Sequence, residues 1–216
     1  MRWAWNNVFE LDRDGQQTIQ AIGFEIQVER VRSKDLILSS GELIVCDPIA
    51  HPDSEPMPID FPRGTHPVFL VLADLRDERK LAFVTVHFSD APVSHWSPAL
   101  AADDDAGEDE SGLRVESSLL GLMDNALAHP WLTAIATETA EECEHRLFRC
   151  VRRQGASWHG AYSIVPQHSE KMVVVAVEPG LFSIRVGRDT QGKPVMLVID
   201  FGVLDYHFRG PLGGRR

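Results

Sequence analysis

Three aspartates stand where a carboxylate could take part in chemistry. Asp47 precedes a proline at the end of an apolar run, Asp90 follows a second apolar run, and Asp124 lies in a leucine-rich segment. Two carboxylates brought together can bind a metal ion or divide acid and base roles, because like charges push their pKa values apart. His87, three residues before Asp90, is a base that could join such a site. The same aspartates also suit turns, caps and solvated helix positions, so structural roles compete with the catalytic one.

Other catalytic and metal-binding signatures in the sequence are weak. Residues 141–145, EECEH, contain one Glu-x-x-His step, whereas a di-iron bundle needs two helices that carry it. His51, Asp53 and His66 surround a proline-rich loop, where free surface histidines explain the pattern better than chelation does. The sequence contains no Gly-x-Ser-x-Gly elbow, phosphate-binding loop or dinucleotide glycine motif. We therefore expect no cofactor and no resident metal.

Charge is the most informative bulk property of the chain. The 216 residues include 21 basic and 32 acidic side chains, which gives a formal net charge of -11. This charge argues against non-specific binding to nucleic acid or anionic lipid, and it suits either solubility or a basic protein partner. Residues 103–110, DDDAGEDE, hold six acids and predict a solvated, mobile loop at about 101–112. The acids expected to meet a partner are Asp103, Asp104, Asp105, Glu108, Asp109 and Glu110 in this loop, followed by Glu116, Glu138, Glu141 and Glu142.

The elements that must position these residues begin with a hairpin over residues 67–92. Residues 68–73 are almost wholly apolar, residues 75–80 are charged, and residues 81–88 alternate between two faces. This pattern predicts a buried strand, a turn in water and a second strand. Further strands are predicted at residues 19–31, 158–165, 172–177, 181–186 and 194–201, with a tight hairpin at 36–46.

Two helices are predicted between these groups of strands. The first begins at Ser117 or Ser118 and runs through a leucine-rich segment until His129-Pro130 stops it. The second, over residues 131–154, has apolar residues at three- and four-residue steps, with acids early and arginines late. Strands, two helices and strands again predict an α+β fold: a largely antiparallel sheet with two helices packed on one face. We expect a single domain over residues 1–216 with a frayed tail at 209–216.

The sequence also predicts a cellular compartment. The first residues lack the apolar core of a signal peptide, and no window approaches the ~20 apolar residues of a membrane span. The three cysteines, Cys46, Cys143 and Cys150, lack zinc-site spacing and predict buried thiols in a reducing environment. We therefore expect a cytoplasmic protein.

Several short blocks of the chain together resemble a family of uncharacterised bacterial proteins, domain of unknown function 4241. The resemblance rests on residues 40–48, SGELIVCDP, where the family has a glycine-led strand that ends in Asp-Pro. It also rests on the hairpin closed by residues 88–92, on 122–124 and on 198–201. Asp47, Asp90 and Asp124 each lie in one of these blocks.

The chain departs from the family pattern in two places. Residues 115–118, VESS, stand where relatives tend to have an aspartate and a glycine. Residues 177–182, VEPGLF, stand where they often have a glycine-rich segment with an aspartate. If these segments form a polar site in relatives, the site is altered in this chain.

The resemblance implies no established activity, but it implies a context. Family members are similar to the small acidic proteins found beside secreted bacterial toxins. Together with the charge, this predicts a protein-binding module, an immunity-type protein that neutralises a basic bacterial toxin. The alternative is a metal-dependent hydrolase that uses Asp47, Asp90 and Asp124. An enzyme needs these carboxylates to converge in a pocket, a binder needs an exposed acidic patch, and a structural subunit needs a broad apolar surface.

Overall fold

Two antiparallel β-sheets and two short α-helices form the part of the chain that the computed structural model describes, residues 16–21, 24–76, 78–99, 112–154, 157–166 and 169–204. The strands of the larger sheet are β1 (Gln16–Ala21), β2 (Phe24–Leu38), β4 (Gly64–Asp74), β5 (Arg79–His87), β6 (His95–Pro98), β7 (Leu113–Val115), β12 (Gly180–Arg188) and β13 (Pro194–Asp200). Those of the smaller sheet are β3 (Leu43–Cys46), β8 (Leu119–Asp124), β9 (Val151–Gln154), β10 (Ser157–Tyr162) and β11 (Met172–Ala176). The orders are β1-β2-β4-β5-β13-β12-β6, with β7 also paired to β12, and β3-β8-β11-β10-β9.

The two sheets pack face to face around the main apolar core. The larger sheet contributes Leu36, Leu70, Val84, Val186 and Leu197, and the smaller one contributes Val45, Leu120, Leu122, Val173 and Val175. The opposite face of the smaller sheet is covered by α1 (Ala128–Ile135) and α2 (Ala140–Phe148), which contribute Trp131, Cys143 and Leu147. The predicted α+β class is therefore confirmed, with antiparallel strand pairing and two helices on one face.

The central hairpin is confirmed. Strands β4 and β5 pair with Val68 opposite Val86 and Leu70 opposite Val84, on either side of a turn near residues 75–78. The strands predicted at 181–186 and 194–201 are also confirmed, as the paired strands β12 and β13. Both predictions succeed because a polar turn separates two apolar runs of strand length.

The predicted tight hairpin at residues 36–46 is wrong. Residues 36–38 end β2 in the larger sheet, whereas β3 pairs with β8 in the smaller sheet. The intervening residues carry the chain from one sheet to the other, and Gly41 has a φ of 84° there. A Cβ at Gly41 would lie 2.9 Å from the Phe61 carbonyl oxygen, so the crossing requires glycine.

The predicted helix that begins at Ser117 or Ser118 is also wrong, because residues 119–124 form β8. This strand lies within the smaller sheet, between the larger sheet and the helices, and all six of its residues are buried. Leu120 and Leu122 face the core between the sheets, while Leu119 and Met123 face the helices. A strand buried on both faces shows no polar alternation, so its leucines also satisfied a helical pattern.

The predicted single helix over residues 131–154 is two helices and a strand. Pro130 lies in the first turn of α1, where no intrahelical hydrogen bond is lost, so it does not end a helix as predicted. Thr139 caps α2 and forms a reciprocal capping box with Glu142, which starts a new helix inside the apparent stripe. Residues 151–154 then form β9.

The remaining expectations have mixed outcomes. The predicted strand at 19–31 is two strands, β1 and β2, that pair with each other. The strands predicted at 158–165 and 172–177 correspond to β10 and β11. All three cysteines are free thiols, and burial, followed by the charge of Asp47, raises the pKa of Cys46 to about 12. The acidic loop from residue 101 to 111 and the tail at 209–216 lie outside the described residues.

Candidate functional site

Asp47 is a fully buried carboxylate that fastens two loops together. It follows β3 directly, and its Oδ1 accepts hydrogen bonds from the backbone N–H groups of Ile49 and Ala50, both at 2.9 Å. Its Oδ2 accepts from the N–H groups of Glu116 and Ser117 at 2.7 Å, and the Ser117 hydroxyl donates to Oδ1 at 2.5 Å. The carboxylate therefore joins the start of the proline-rich loop to the β7–β8 connection.

The ionised form of Asp47 is the favoured one. Burial raises the pKa of this carboxyl, but hydrogen bonds from Ser117, Ala50 and Glu116 outweigh it and hold the pKa below its ordinary value. Because five donors already occupy its two oxygens, Asp47 has a structural role in this arrangement.

Asp124 is a second buried structural carboxylate. It ends β8 and caps the 3₁₀ turn at residues 125–127 by accepting the Ala126 N–H at 2.8 Å. Its other oxygen accepts the N–H and the hydroxyl of Ser40, both at 2.9 Å. Asp124 thus holds the segment that crosses from the larger sheet to the smaller one.

The structure does not bring the three predicted catalytic aspartates together. Strand β3 pairs with β8 so that Leu43 lies opposite Asp124, and Asp47 is four residues farther along β3. At about 3.3 Å per residue, the backbone positions of Asp47 and Asp124 are separated by roughly 13 Å along the strands, at opposite ends of the strand pair. Asp90 is exposed in the loop after β5, on the other sheet.

His87 lies on β5, away from the two buried aspartates. Its Nε2 is 3.2 Å from the Thr85 hydroxyl, and its ring contacts Phe69 edge-on with centroids 4.9 Å apart. Burial, followed by the charge of Arg30, lowers the pKa of His87 to about 4, although Asp90 acts in the opposite direction. The imidazole is therefore neutral at pH 7.

The predicted partner-binding acids occupy different environments. Glu116 is exposed, with its carboxylate 4.0 Å from Arg114 and 3.9 Å from the His51 ring nitrogen. Glu141 is exposed on α2, whereas Glu142 caps that helix and Glu138 pairs with Arg146 at 2.7 Å. Asp103, Asp104, Asp105, Glu108, Asp109 and Glu110 lie outside the described residues.

Further exposed acids on the proline-rich loop were not among the predicted partner contacts. Asp53, Glu55 and Asp60 are exposed on the proline-rich loop, whose start is fastened to Glu116 through Asp47. Residues 47–62 contain no lysine or arginine. The absence of lysine and arginine from this stretch of sequence is the signal that could have identified these acids as candidate partner contacts.

A cavity of about 550 Å³ opens where the ends of the two sheets meet. Its walls come from the start of β5, the β11–β12 connection, the end of α2 and the residues after β13. The apolar lining includes Leu81, Phe148, Val177, Pro179, Phe182 and Phe201. Lys80, Glu78, Glu178 and Ser118 supply polar groups. Both segments in which the chain departs from the family pattern, 115–118 and 177–182, contribute residues to this cavity.

Ser118 has a backbone conformation that serine rarely adopts. Its φ is 64°, and it is the one non-glycine residue with a positive φ in the described part of the chain. Its carbonyl accepts the Val177 N–H at 3.0 Å, and Asp47 binds the two residues before it. Strained residues of this kind often mark functional sites. Here the Asp47 contacts and the hydrogen bond from Val177 maintain the strained conformation of Ser118 at the edge of the cavity.

We predict that Ser118→Gly stabilises the protein. Glycine adopts a positive φ without the Cβ clash, so the variant should gain about 0.5–1 kcal/mol in free energy of unfolding. Urea unfolding would show a higher midpoint with an unchanged slope. Ser117→Gly is the matched control, because Ser117 lacks a positive φ and donates to Asp47, so this variant should lose stability. A Ser118→Gly variant no more stable than wild type would contradict the assignment of strain.

The fold and these sites define a two-sheet α+β protein with helices on one face and a cavity at the sheet ends. The chain belongs to the family described as Protein of unknown function (DUF4241), whose model matches residues 36–199. This confirms the resemblance seen in the sequence. The chain matches none of the curated proteins and none of the solved structures with which it was compared.

Two further features are absent from the described residues. Across these residues, no three histidine, cysteine, aspartate or glutamate side chains are grouped closely enough to hold a metal ion. No helix within the same ranges is long and apolar enough to cross a membrane.

Proposed function

We propose that the protein binds another protein through an acidic surface where the proline-rich loop meets the β7–β8 connection. The described residues of this acidic surface are Asp53, Glu55 and Glu116. The acids of residues 103–110, which lie outside the described residues, are proposed to extend it. The observation that carries the proposal is that the exposed Glu116 carboxylate lies 3.9 Å from His51 of the proline-rich loop. Asp53 and Glu55 on that loop are also exposed, and residues 47–62 contain no lysine or arginine.

The connection between the loop acids and Glu116 is short. Residues 103–110 precede β7 by two residues, and the three residues of β7 span about 10 Å. Arg114 is the basic residue beside Glu116, but both side chains are more than half exposed and 4.0 Å apart. A surface pair of this kind is weak, so it leaves the negative potential of the region largely intact.

The partner we propose is a basic protein, and specifically a bacterial toxin that this chain neutralises. A toxin that attacks nucleic acid must be positively charged where it meets the phosphate backbone. A complementary acidic surface would speed association and cover that region of the toxin. The net charge of -11 supports a basic partner.

The structure gives less support to a hydrolase built on Asp47, Asp90 and Asp124. Catalytic carboxylates need to share a site and to have free oxygens that face it. Asp47 and Asp124 instead accept hydrogen bonds from the surrounding loops at opposite ends of one strand pair.

The test is capture of the partner with the tagged full chain at low and high salt. A stoichiometric basic protein that is retained at low ionic strength and released at high ionic strength would support the proposal. Recovery of the protein alone under both conditions would count against it, and a reproducible thermal shift with divalent metal would favour the hydrolase.

Charge reversal at Glu116 is predicted to weaken that complex. Glu116→Lys changes the local charge by two units, so the dissociation constant should rise by about tenfold at low salt, mostly through slower association. Asp90→Lys is the matched control, because it makes the same charge change at an exposed residue in the loop after β5, which is not part of the proposed acidic surface. Association rates of both variants can be compared by surface plasmon resonance, and equal losses for the two would argue against the acidic surface.

The loop can be tested separately from Glu116. Replacing Asp104, Asp105, Glu108 and Asp109 with lysine should reduce association further if the loop contributes. Unchanged binding by this variant would remove the loop from the acidic surface and leave Glu116 and the proline-rich loop as its remaining elements.

A further inference from the structure

The cavity at the sheet ends has an aromatic floor. Phe182 and Phe201 contact each other edge-to-face with ring centroids 4.8 Å apart, and Leu81 and Phe148 extend the apolar wall. The volume of about 550 Å³ is within the range of roughly 300–1,000 Å³ that small-molecule sites occupy. The floor therefore suits the apolar part of a small ligand.

One cation at the rim of the cavity has exchangeable partners. The Lys80 ammonium lies 3.1 Å from the Glu78 carboxylate and 3.7 Å from that of Glu178. These glutamates are 58% and 85% exposed, so water screens both pairs and a ligand anion can replace either of them. The neighbouring Arg79 forms ion pairs with other carboxylates, those of Glu29 and, at 3.1 Å, Asp74.

The rim also discriminates between kinds of anion. Lys80 offers a cationic donor for one carboxylate, while Glu78 and Glu178, which lie beside Lys80, would repel a second negative charge. A phosphate dianion is therefore a poorer fit than a carboxylate monoanion. Lys80 remains protonated and positively charged, since hydrogen bonding to Glu78 and the charge of Glu178 both raise its pKa.

We propose that this cavity binds a carboxylate with an aromatic or branched apolar body, its carboxylate on Lys80 and its body on Phe182 and Phe201. The same chemistry is presented by a free small carboxylic acid and by the carboxyl terminus of a peptide that ends in an apolar residue. The site is separate from the acidic surface, so it does not depend on the proposed toxin-binding function.

Titration of the full chain with a matched pair of probes tests the proposal. We expect 3-phenylpropionate to bind saturably with a dissociation constant of about 1 mM or below, and 3-phenylpropanamide to bind at least about tenfold more weakly. Amide NMR signals of Leu81, Val177 and Phe201 should shift with the acid. Absence of saturable binding at about 10 mM acid, or equal affinity for acid and amide, would overturn the proposal.

Two rim substitutions identify the residue that binds the carboxylate. Lys80→Gln should weaken binding of 3-phenylpropionate by about tenfold, because it removes a charge-assisted hydrogen bond. Glu178→Gln removes a competing anion at the same rim, so affinity should stay constant or rise. Both side chains lie at the surface, and a thermal melt of each variant checks the fold. Unchanged affinity in Lys80→Gln would overturn the assignment.

A peptide probe distinguishes the two sources of the ligand. If Gly-Gly-Phe with a free carboxyl group binds more tightly than 3-phenylpropionate, the ligand is the end of a chain. If the peptide binds more weakly than the small acid, the ligand is a free small molecule. In either case, Glu116→Lys should leave the affinity unchanged.

Discussion

Replacing Asp47 with alanine is expected to lower the free energy of unfolding by about 4 kcal/mol. The substitution leaves four backbone N–H groups and the Ser117 hydroxyl without their acceptor in a site with no exposed carboxylate surface. Each such buried donor costs about 1 kcal/mol or more, and partial entry of water limits the sum. Since domains of this size have roughly 5–15 kcal/mol of stability, urea unfolding should show a large fall in midpoint.

Two control variants make the Asp47 prediction specific. Asp90→Ala removes an exposed aspartate, so it should change stability by no more than about 0.5 kcal/mol. Asp47→Asn retains one oxygen but places an amide NH₂ against backbone donors, so its loss should approach that of alanine. A loss below about 1 kcal/mol in Asp47→Ala would contradict the view that this carboxylate holds the two loops.

Asp47 also adds a pH dependence with a defined sign. Its pKa is lower in the folded protein than in the unfolded chain. The contribution of Asp47 to stability is therefore fully present above its pKa in the unfolded chain. It declines as the pH falls through its pKa in the folded protein. The stability of the wild type should therefore fall more steeply below about pH 4 than that of Asp47→Ala, because the variant has already lost the contribution of Asp47 at every pH.

The parts of the fold that could be predicted are those with local signals. The β4–β5 hairpin was predicted because a charged turn separates an apolar run from an alternating one. Residues 119–124 could not be assigned in the same way, since burial on both faces removes the alternation that identifies a strand. The break before α2 was signalled by Thr139 and Glu142, but the continuing apolar stripe concealed it.

The roles of the candidate site residues depended on contacts that no local pattern contains. The donors to Asp47 include Glu116 and Ser117, 69 and 70 residues away, and Ser40 is 84 residues from Asp124. The sequence placed Asp47 at the end of a strand, but it placed Asp124 inside a predicted helix and could not identify the hydrogen-bond partners of either carboxylate. The cavity could not be predicted for the same reason. Its lining residues are spread through the sequence from Glu78 to Val203 and come together only when both sheets form.

Acidification is expected to destabilise the protein through His87, by up to about 3 kcal/mol between pH 6.5 and 4. The unfolded chain takes up a proton on this histidine near pH 6.5, while the folded protein resists protonation until about pH 4. The free energy of unfolding is therefore unaffected by protonation of His87 above its pKa in the unfolded chain. It falls as the pH drops toward the pKa of His87 in the folded protein. His159, whose pKa is lowered by burial and by Lys34, should add to the loss in the same direction.

Variants around His87 separate this effect from general acid unfolding. His87→Gln should lose some stability at pH 7, because the contact with Phe69 is gone, and its stability should fall less steeply between pH 6.5 and 4. NMR titration of the His87 ring should give a pKa near 4 in the wild type, and Arg30→Gln should raise it while Asp90→Asn lowers it. Shifts of the His87 pKa in opposite directions in these two variants would show that the charges of both Arg30 and Asp90 act on the imidazole. An unperturbed wild-type titration, or an unchanged pH slope in His87→Gln, would show that the ring is open to water and that other groups cause the acid loss.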